Sequence, residues 1–200
     1  MEIWIATGNK GKLKEFESLM KGIQNLSLHH QGELAGFSPR PEDGKTFEDN
    51  ARIKTKTLHS VRPQFWTLGE DSGIEVTGLG NLPGIHSARY AGPKASDNEN
   101  NAKLLKMMQI RNVTDRSARF FTCLIAISPE GEEHVFTGSL QGKIAPAPKG
   151  LHGFGYDPVF IPDGQTQTLA ELGPGWKNQH SHRTQAVKNF LSFLQEKGIT

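Results

Sequence analysis

The sequence is nearly free of cysteine, with one residue, Cys123, in 200. A lone thiol forms no intramolecular disulfide, which excludes a disulfide-stapled scaffold and fits a reducing compartment. Cys123 stands in the apolar run Phe120-Phe121-Thr122-Cys123-Leu124-Ile125-Ala126-Ile127, where a buried structural thiol is expected. No hydrophobic stretch approaches the length of a membrane span, and Met1-Glu2-Ile3-Trp4-Ile5-Ala6 lacks the basic start of a secretory signal. A cytoplasmic protein with no membrane partner is expected. Charge of one sign is scarce as well. The net charge of +2 gives no ground for a nucleic-acid surface, although an anionic small molecule is accommodated if positive charge gathers in a cleft. Low-complexity blocks and internal repeats are absent. With 35% hydrophobic and 22% charged residues, the 200 residues suit one large domain or two closely packed lobes.

Several signatures of familiar chemistry are missing too. There is no Walker A loop, no His-Glu-x-x-His zinc motif and no Gly-x-Ser-x-Gly nucleophile elbow. His180 and His182, two residues apart and without a cysteine partner, do not amount to a zinc site.

What is present reads as mixed α/β. Residues 2–6 form a short buried strand, followed by the loop Thr7-Gly8-Asn9-Lys10-Gly11 and a helix with Leu13, Phe16, Leu19 and Met20 on one face. Residues 30–45 read as irregular. Thr46-Phe47-Glu48-Asp49 is a capping box opening a helix that runs to about Ser60. A strand from about Phe65 to Leu68 ends in Glu70-Asp71-Ser72-Gly73, and Gly78 to Gly92 reads as loop-rich. Ser96-Asp97-Asn98-Glu99 caps a second helix carrying Ala102, Leu105 and Met108. Residues 118–127 and 133–140 form strands across a hairpin at Ser128-Pro129-Glu130-Gly131-Glu132, and a turn near Gln141-Gly142 leads to more extended chain. Ser181 caps a last helix with Ala186, Val187, Phe190, Leu191 and Leu194 as its apolar stripe. At least one section is antiparallel, and no regular βαβ repeat appears.

Three segments carry chemistry. Thr7-Gly8-Asn9-Lys10-Gly11-Lys12 lies between a strand and a helix, where glycines admit an anion and the helix start offers free N–H groups. The alternative is a solvated glycine turn. Glu70-Asp71 places adjacent carboxylates at a strand end, with Glu42 as a candidate second metal ligand from across a cleft. Magnesium takes few protein carboxylates and fills its other positions with water and phosphate oxygens, and this donor set does not distinguish it from manganese. Gly153-Phe154-Gly155-Tyr156-Asp157-Pro158 can present a π face and a carboxylate to a planar ligand, or be a tight turn with core aromatics. Lys177 and Ser181-His182-Arg183 add donors suited to base carbonyls.

Taken in order, these segments resemble the non-canonical purine nucleoside triphosphate pyrophosphatases, the inosine triphosphate pyrophosphatase or Ham1-like family. The resemblance covers Thr7-Gly8-Asn9 with Lys12, Glu42 with Thr46-Phe47 and Asn50-Ala51, and Asp71-Ser72-Gly73. It continues through Pro83-Gly84, Ser87-Ala88-Arg89-Tyr90-Ala91-Gly92, Gly153 to Pro158, Lys177 and Ser181-His182-Arg183. It implies a single two-lobed α/β domain with a long mixed β-sheet flanked by helices, a central substrate cleft and a homodimer. It also implies release of pyrophosphate from ITP, dITP and XTP, which clears deaminated purines from the nucleotide pool.

By the same resemblance Thr7, Gly8, Asn9, Lys10, Gly11 and Lys12 receive the triphosphate. Glu42 and Asp71 hold Mg2+, Asp71 is also the proton acceptor, and Ser72 touches substrate. Phe154, Gly155, Tyr156, Asp157, Lys177, His182 and Arg183 frame the base. Two departures stand out. Glu70 replaces the Asp common in bacterial members, and Gly173-Pro174-Gly175-Trp176 replaces an acidic, helix-friendly run before Lys177. The rival readings are a Maf-like nucleotide pyrophosphatase, against which Ser181-His182-Arg183 argues, and a non-catalytic nucleotide sensor, which has less need of both Glu42 and Asp71.

Overall fold

The apolar run near the start forms strand β1 (Glu2–Ala6), exposed at Glu2 and buried over the next four residues. In the computed structural model, which describes residues 1–199, Asn9 caps helix α1 (Lys10–Met20) by accepting the Lys12 N–H. Both predicted capping boxes form with both of their reciprocal hydrogen bonds. Thr46 and Asp49 start α2 (Phe47–His59), and Ser96 and Glu99 start α3 (Asp97–Ile110). The last helix, α5 (His182–Glu196), buries Ala186, Val187, Phe190 and Leu194 as its stripe predicts.

Other expectations needed correction. Strand β2 (Ser27–His30), which the sequence reading did not place, ends where the segment read as irregular begins, and a short 3-10 turn (Gln31–Glu33) follows within it. On α3 the buried residues are Asn100, Asn101, Leu104 and Met108; of the three residues named from the sequence Met108 is buried, Leu105 half-buried and Ala102 exposed. Two buried asparagines broke the apolar pattern. Asn100 is satisfied by the backbone of Ala88 and Ala91, and Asn101 Nδ2 by the carbonyl of Gly155. Helix α4 (Leu169–His180) runs through Gly173-Pro174-Gly175-Trp176. It kinks at Gly173 (φ 79°), and Pro174 restarts the helical path, a position proline suits because it has no N–H to pair.

The largest correction concerns β3 (Trp66–Val76), which does not stop before Glu70 and Asp71 but runs through them for 11 residues. Charged residues in a strand interior read as a terminus from sequence. Here they are buried and matched by cations, so the strand continues.

With β4 (Leu82–Pro83), β5 (Ser117–Ile127), β6 (Glu133–Ile144) and β7 (Phe160–Pro162), the sheet has seven strands among the described residues. Their order is β2-β1-β3-β5-β6-β7, with β4 on β3. It is mixed: β1 is parallel to β2 and β3, pairing Ile3 with Trp66 and Ile5 with Leu68, whereas β6 and β7 are antiparallel.

Two compact units emerge. The first comprises Met1–Asp71, Thr122–Gly138 and Arg183–Thr200. Its core packs Phe16 and Met20 of α1 and Ala186, Val187, Phe190 and Leu194 of α5 on Ile3, Ile5, Trp66, Leu68, Leu124 and Ala126. The second comprises Ser72–Phe121 and Ser139–His182, with a core around Ile74, Val76, Leu104, Met108, Phe120, Tyr156, Val159 and Phe160. Among the described residues no helix is long and apolar enough to cross a membrane.

In the first unit Gly69 sets how closely α2 approaches β3. A Cβ there would lie 2.3 Å from Thr55 Oγ1 and 2.6 Å from the Ala51 carbonyl. Gly69→Ala is expected to destabilise the protein by about 1–3 kcal/mol, the usual cost of overpacking, read as an earlier urea midpoint. An unchanged midpoint would show that α2 can move away freely.

Candidate active site

Asp71 and Glu42 come from different segments and meet on one side chain. Lys54 Nζ lies 2.8 Å from Asp71 Oδ1 and 2.9 Å from Glu42 Oε2. It also donates to the Glu70 carbonyl at 3.2 Å. Burial would drive the Lys54 ammonium toward its neutral form, but Asp71 and Glu42 overcome it and hold the pKa above its ordinary value. Asn50, one turn before Lys54 on the same face of α2, donates to Asp71 Oδ2 at 3.3 Å. Its own Oδ1 accepts the Gly44 N–H, which ties down the segment that carries Glu42.

Glu70 and Asp71 are neighbours in sequence but not in role, because successive side chains of a strand point to opposite faces. Glu70 Oε2 pairs with Lys12 Nζ at 2.8 Å, and Oε1 accepts from Arg183 at 2.8 Å and from Thr122 Oγ1. Arg183 also pairs with Glu15 of α1. Burial pushes the Glu70 pKa up, but Arg183 and Lys12 outweigh it and hold the carboxyl well below the usual glutamate range. Burial, helped by Lys54 and Arg183, pulls the Lys12 ammonium below its ordinary value, with Glu70 opposing.

Thr7 to Lys12 link β1 to the start of α1. Thr7 Oγ1 accepts the Asn9 N–H at 3.1 Å, and Asn9 Oδ1 accepts that of Lys12 at 3.0 Å. Gly8, Asn9 and Lys10 are exposed. The segment is an open helix N-terminus with lysines at hand, chemistry suited to an anion.

In the second unit Lys177 Nζ pairs with Asp157 Oδ2 at 2.7 Å, both side chains nearly fully buried, and lies 4.3 Å from the centre of the Phe154 ring. Asp157 Oδ2 also accepts the Phe154 N–H at 3.0 Å. Gly153 (φ 80°) is required here, since a Cβ would fall 2.0 Å from that same oxygen. The Gly155 peptide is held from α3, its N–H by Asp97 Oδ2 at 2.7 Å and its carbonyl by Asn101 at 2.9 Å. The arrangement fixes an aromatic face beside a cation and a carboxylate.

The remaining predicted residues fall as follows. Tyr156 belongs to the core. Its hydroxyl donates to the Ser87 carbonyl at 2.8 Å, and burial raises its pKa. The Ser87 hydroxyl in turn accepts the Ile74 N–H and donates to the Gly84 carbonyl. The His182 ring stacks on Phe120, with ring centres 4.9 Å apart. Arg183 is almost wholly buried on Glu70 and Glu15 of the first unit. Ser72 opens the second unit directly after Asp71.

Sequence reasoning missed Lys54, Glu15 and Thr122. The signal for Lys54 was its spacing of four from Asn50, which puts both on one helix face. Nothing in the sequence pointed to Glu15 or Thr122. Cys123 is buried as expected, and burial, with Glu48 nearby, pushes its thiol up to about 12, which leaves it inert.

Among the described residues no three His, Cys, Asp or Glu side chains gather as a metal cage. Glu42 and Asp71 nonetheless converge on one cation, the Lys54 ammonium, and two carboxylates are the protein share magnesium ordinarily takes. The donor set fits that ion.

Residues 3–193 match the Ham1 family. A dITP/XTP pyrophosphatase of Bdellovibrio bacteriovorus is 61% identical over 98% of this chain and 98% of its own. One from Streptococcus thermophilus is 42% identical over 94% of this chain, a match spanning 57% of that longer relative. The solved Staphylococcus aureus Ham1 protein is 36% identical, with a TM-score of 0.87 over 98% of this chain and all of the other.

Proposed function

Because this chain belongs to the Ham1 family, we propose that it hydrolyses ITP, dITP and XTP to the monophosphate and pyrophosphate, removing deaminated purines from the nucleotide pool. The observation that carries this reading is the convergence of Glu42 and Asp71 on a single cation position, with Lys12 and an open helix start in the same unit.

In the first unit Thr7 to Lys12 receive the triphosphate through backbone N–H groups and lysine charge. Glu42 and Asp71 are the ligands for magnesium, which when bound polarises phosphate oxygens and offsets charge in the transition state. Asp71 accepts a proton from the water that attacks the α-phosphorus. The new bond joins water oxygen to that phosphorus, and the bridging P–O bond breaks with its electron pair leaving on pyrophosphate. The lysines stabilise the leaving group.

In the second unit Phe154 stacks on the purine, and Lys177, oriented by Asp157, donates to the 6-carbonyl that inosine and xanthosine carry. Adenine's 6-amino group would face that donor unpaired, a mismatch that discriminates strongly in a buried site. Arg183, fixed by Glu70 and Glu15, and His182, fixed on Phe120, are assigned to the base as well. Guanine keeps the 6-carbonyl, so its rejection falls on the 2-amino group. The working protein is a cytoplasmic homodimer in this reading, and the two units together form one domain.

Purified protein with magnesium and a panel of nucleoside triphosphates tests the proposal. Pyrophosphate is expected from ITP, dITP and XTP, with little from ATP or GTP. Orthophosphate as the first product would instead mark a phosphohydrolase.

A further inference from the structure

The Lys54 ammonium has three donors and three acceptors: Asp71 Oδ1 at 2.8 Å, Glu42 Oε2 at 2.9 Å and the Glu70 carbonyl at 3.2 Å. Two of these acceptors are the carboxylates assigned to magnesium. Side-chain exposure is 15% for Lys54 and 10% for Asp71, so water and salt screen the pair only weakly. An ammonium seated on Asp71 Oδ1 and Glu42 Oε2 repels a metal ion that approaches the same oxygens, and the two cations cannot share one position.

We propose that Lys54 is a resident counter-cation, which a divalent metal ion must displace from Glu42 and Asp71 before either carboxylate can hold it. The proposal rests on the reading of Glu42 and Asp71 as metal ligands.

Charge counting supports the exchange. Two carboxylates and one ammonium leave the trio with one negative charge, which repels a polyphosphate. Adding a divalent cation turns the trio positive by one and releases a donor on a four-carbon stem, which can swing without moving α2. Asp71 keeps its bond from Asn50 during the exchange, so its position is retained. Metal binding therefore costs the ion pairs of Lys54, and removing the ammonium is expected to raise the affinity for the metal.

The test is calorimetric titration of Mn2+ or Mg2+ into the full chain with no nucleotide present. Lys54→Met is expected to bind metal about tenfold more tightly than the wild type, because no ammonium competes. Glu42→Gln is expected to weaken binding in both backgrounds. Equal, weaker or undetectable binding by Lys54→Met would overturn the proposal, as would metal binding indifferent to Glu42→Gln. Should Lys54→Met not fold, the wild type carries the test. The 13Cε resonance of Lys54 is expected to shift saturably on Mg2+ addition, and a resonance unmoved while metal binds refutes displacement. None of these readings depends on turnover, so a failed pyrophosphatase assay leaves the metal result standing and separates the two claims.

Discussion

Asp71→Asn is expected to lower the turnover of ITP by about 10²–10⁴-fold while leaving the chain folded, the range that follows loss of a general base. Asparagine has the same shape, presents a carbonyl oxygen to Lys54 or to Asn50, and so keeps one of the contacts Asp71 makes. It cannot take a proton from water. The variant also loses a metal ligand, so the measurement is kcat across a magnesium series, with circular dichroism to confirm folding. If saturating magnesium restores the wild-type rate, Asp71 only binds metal. If the rate is unchanged throughout, Asp71 has no part in the reaction. A depressed kcat at every magnesium concentration is the expected result.

The second large effect concerns Glu70, whose carboxylate serves the buried Arg183 and the half-buried Lys12 at once. Glu70→Gln keeps the volume and the contact with Thr122 but leaves Lys12 and Arg183 with less compensation. Removing one partner of a buried ion pair typically costs about 3–5 kcal/mol, and a loss of that order is expected at neutral pH. The pH dependence follows from the depressed folded-state pKa. Above the ordinary glutamate value of 4.5, Glu70 is ionised in folded and unfolded chains alike, and its full contribution is present. Below 4.5 the unfolded chain takes up a proton that the folded chain resists, so the contribution fades as pH falls toward the folded pKa. The gap between wild type and Glu70→Gln in urea midpoint is therefore expected to be widest at neutral pH and to narrow below 4.5. A gap that stays constant with pH would mean that the carboxylate's charge is not what stabilises the fold.

The same residue shows how far the sequence could be read. Caps and apolar stripes were legible because they are local. Thr46 with Asp49 and Ser96 with Glu99 announced α2 and α3, and Ala186 to Leu194 announced the buried face of α5. Strand β3 was cut short because Glu70 and Asp71 look like solvent-facing residues until distant cations neutralise them. Those cations arrive from α1, α2 and α5, at separations no window of neighbouring residues reveals. Helix α4 was hidden for the opposite reason, since glycine and proline argue locally against a helix that the fold tolerates with a kink. At the candidate site, residue types were readable and pairings were not. Glu42 and Asp71 could be named from the sequence, but the pairing of Lys54 with both of them could not. Tyr156 stood in a recognisable motif, yet its ring proved to be core.

The discontinuous make-up of the first unit sets a timetable for its assembly. Its final segment brings Phe190 and Leu194 to the core and Arg183 to Glu70. A nascent chain emerging from the ribosome carries β1, α1, α2 and β3 long before either arrives. Until α5 emerges, Glu70 has Lys12 but no guanidinium, and Ile3, Ile5 and Leu68 lack the helix that covers them. Completion of this half thus waits until α5 has been synthesised, and the interval beforehand is when the chain most needs protection from aggregation.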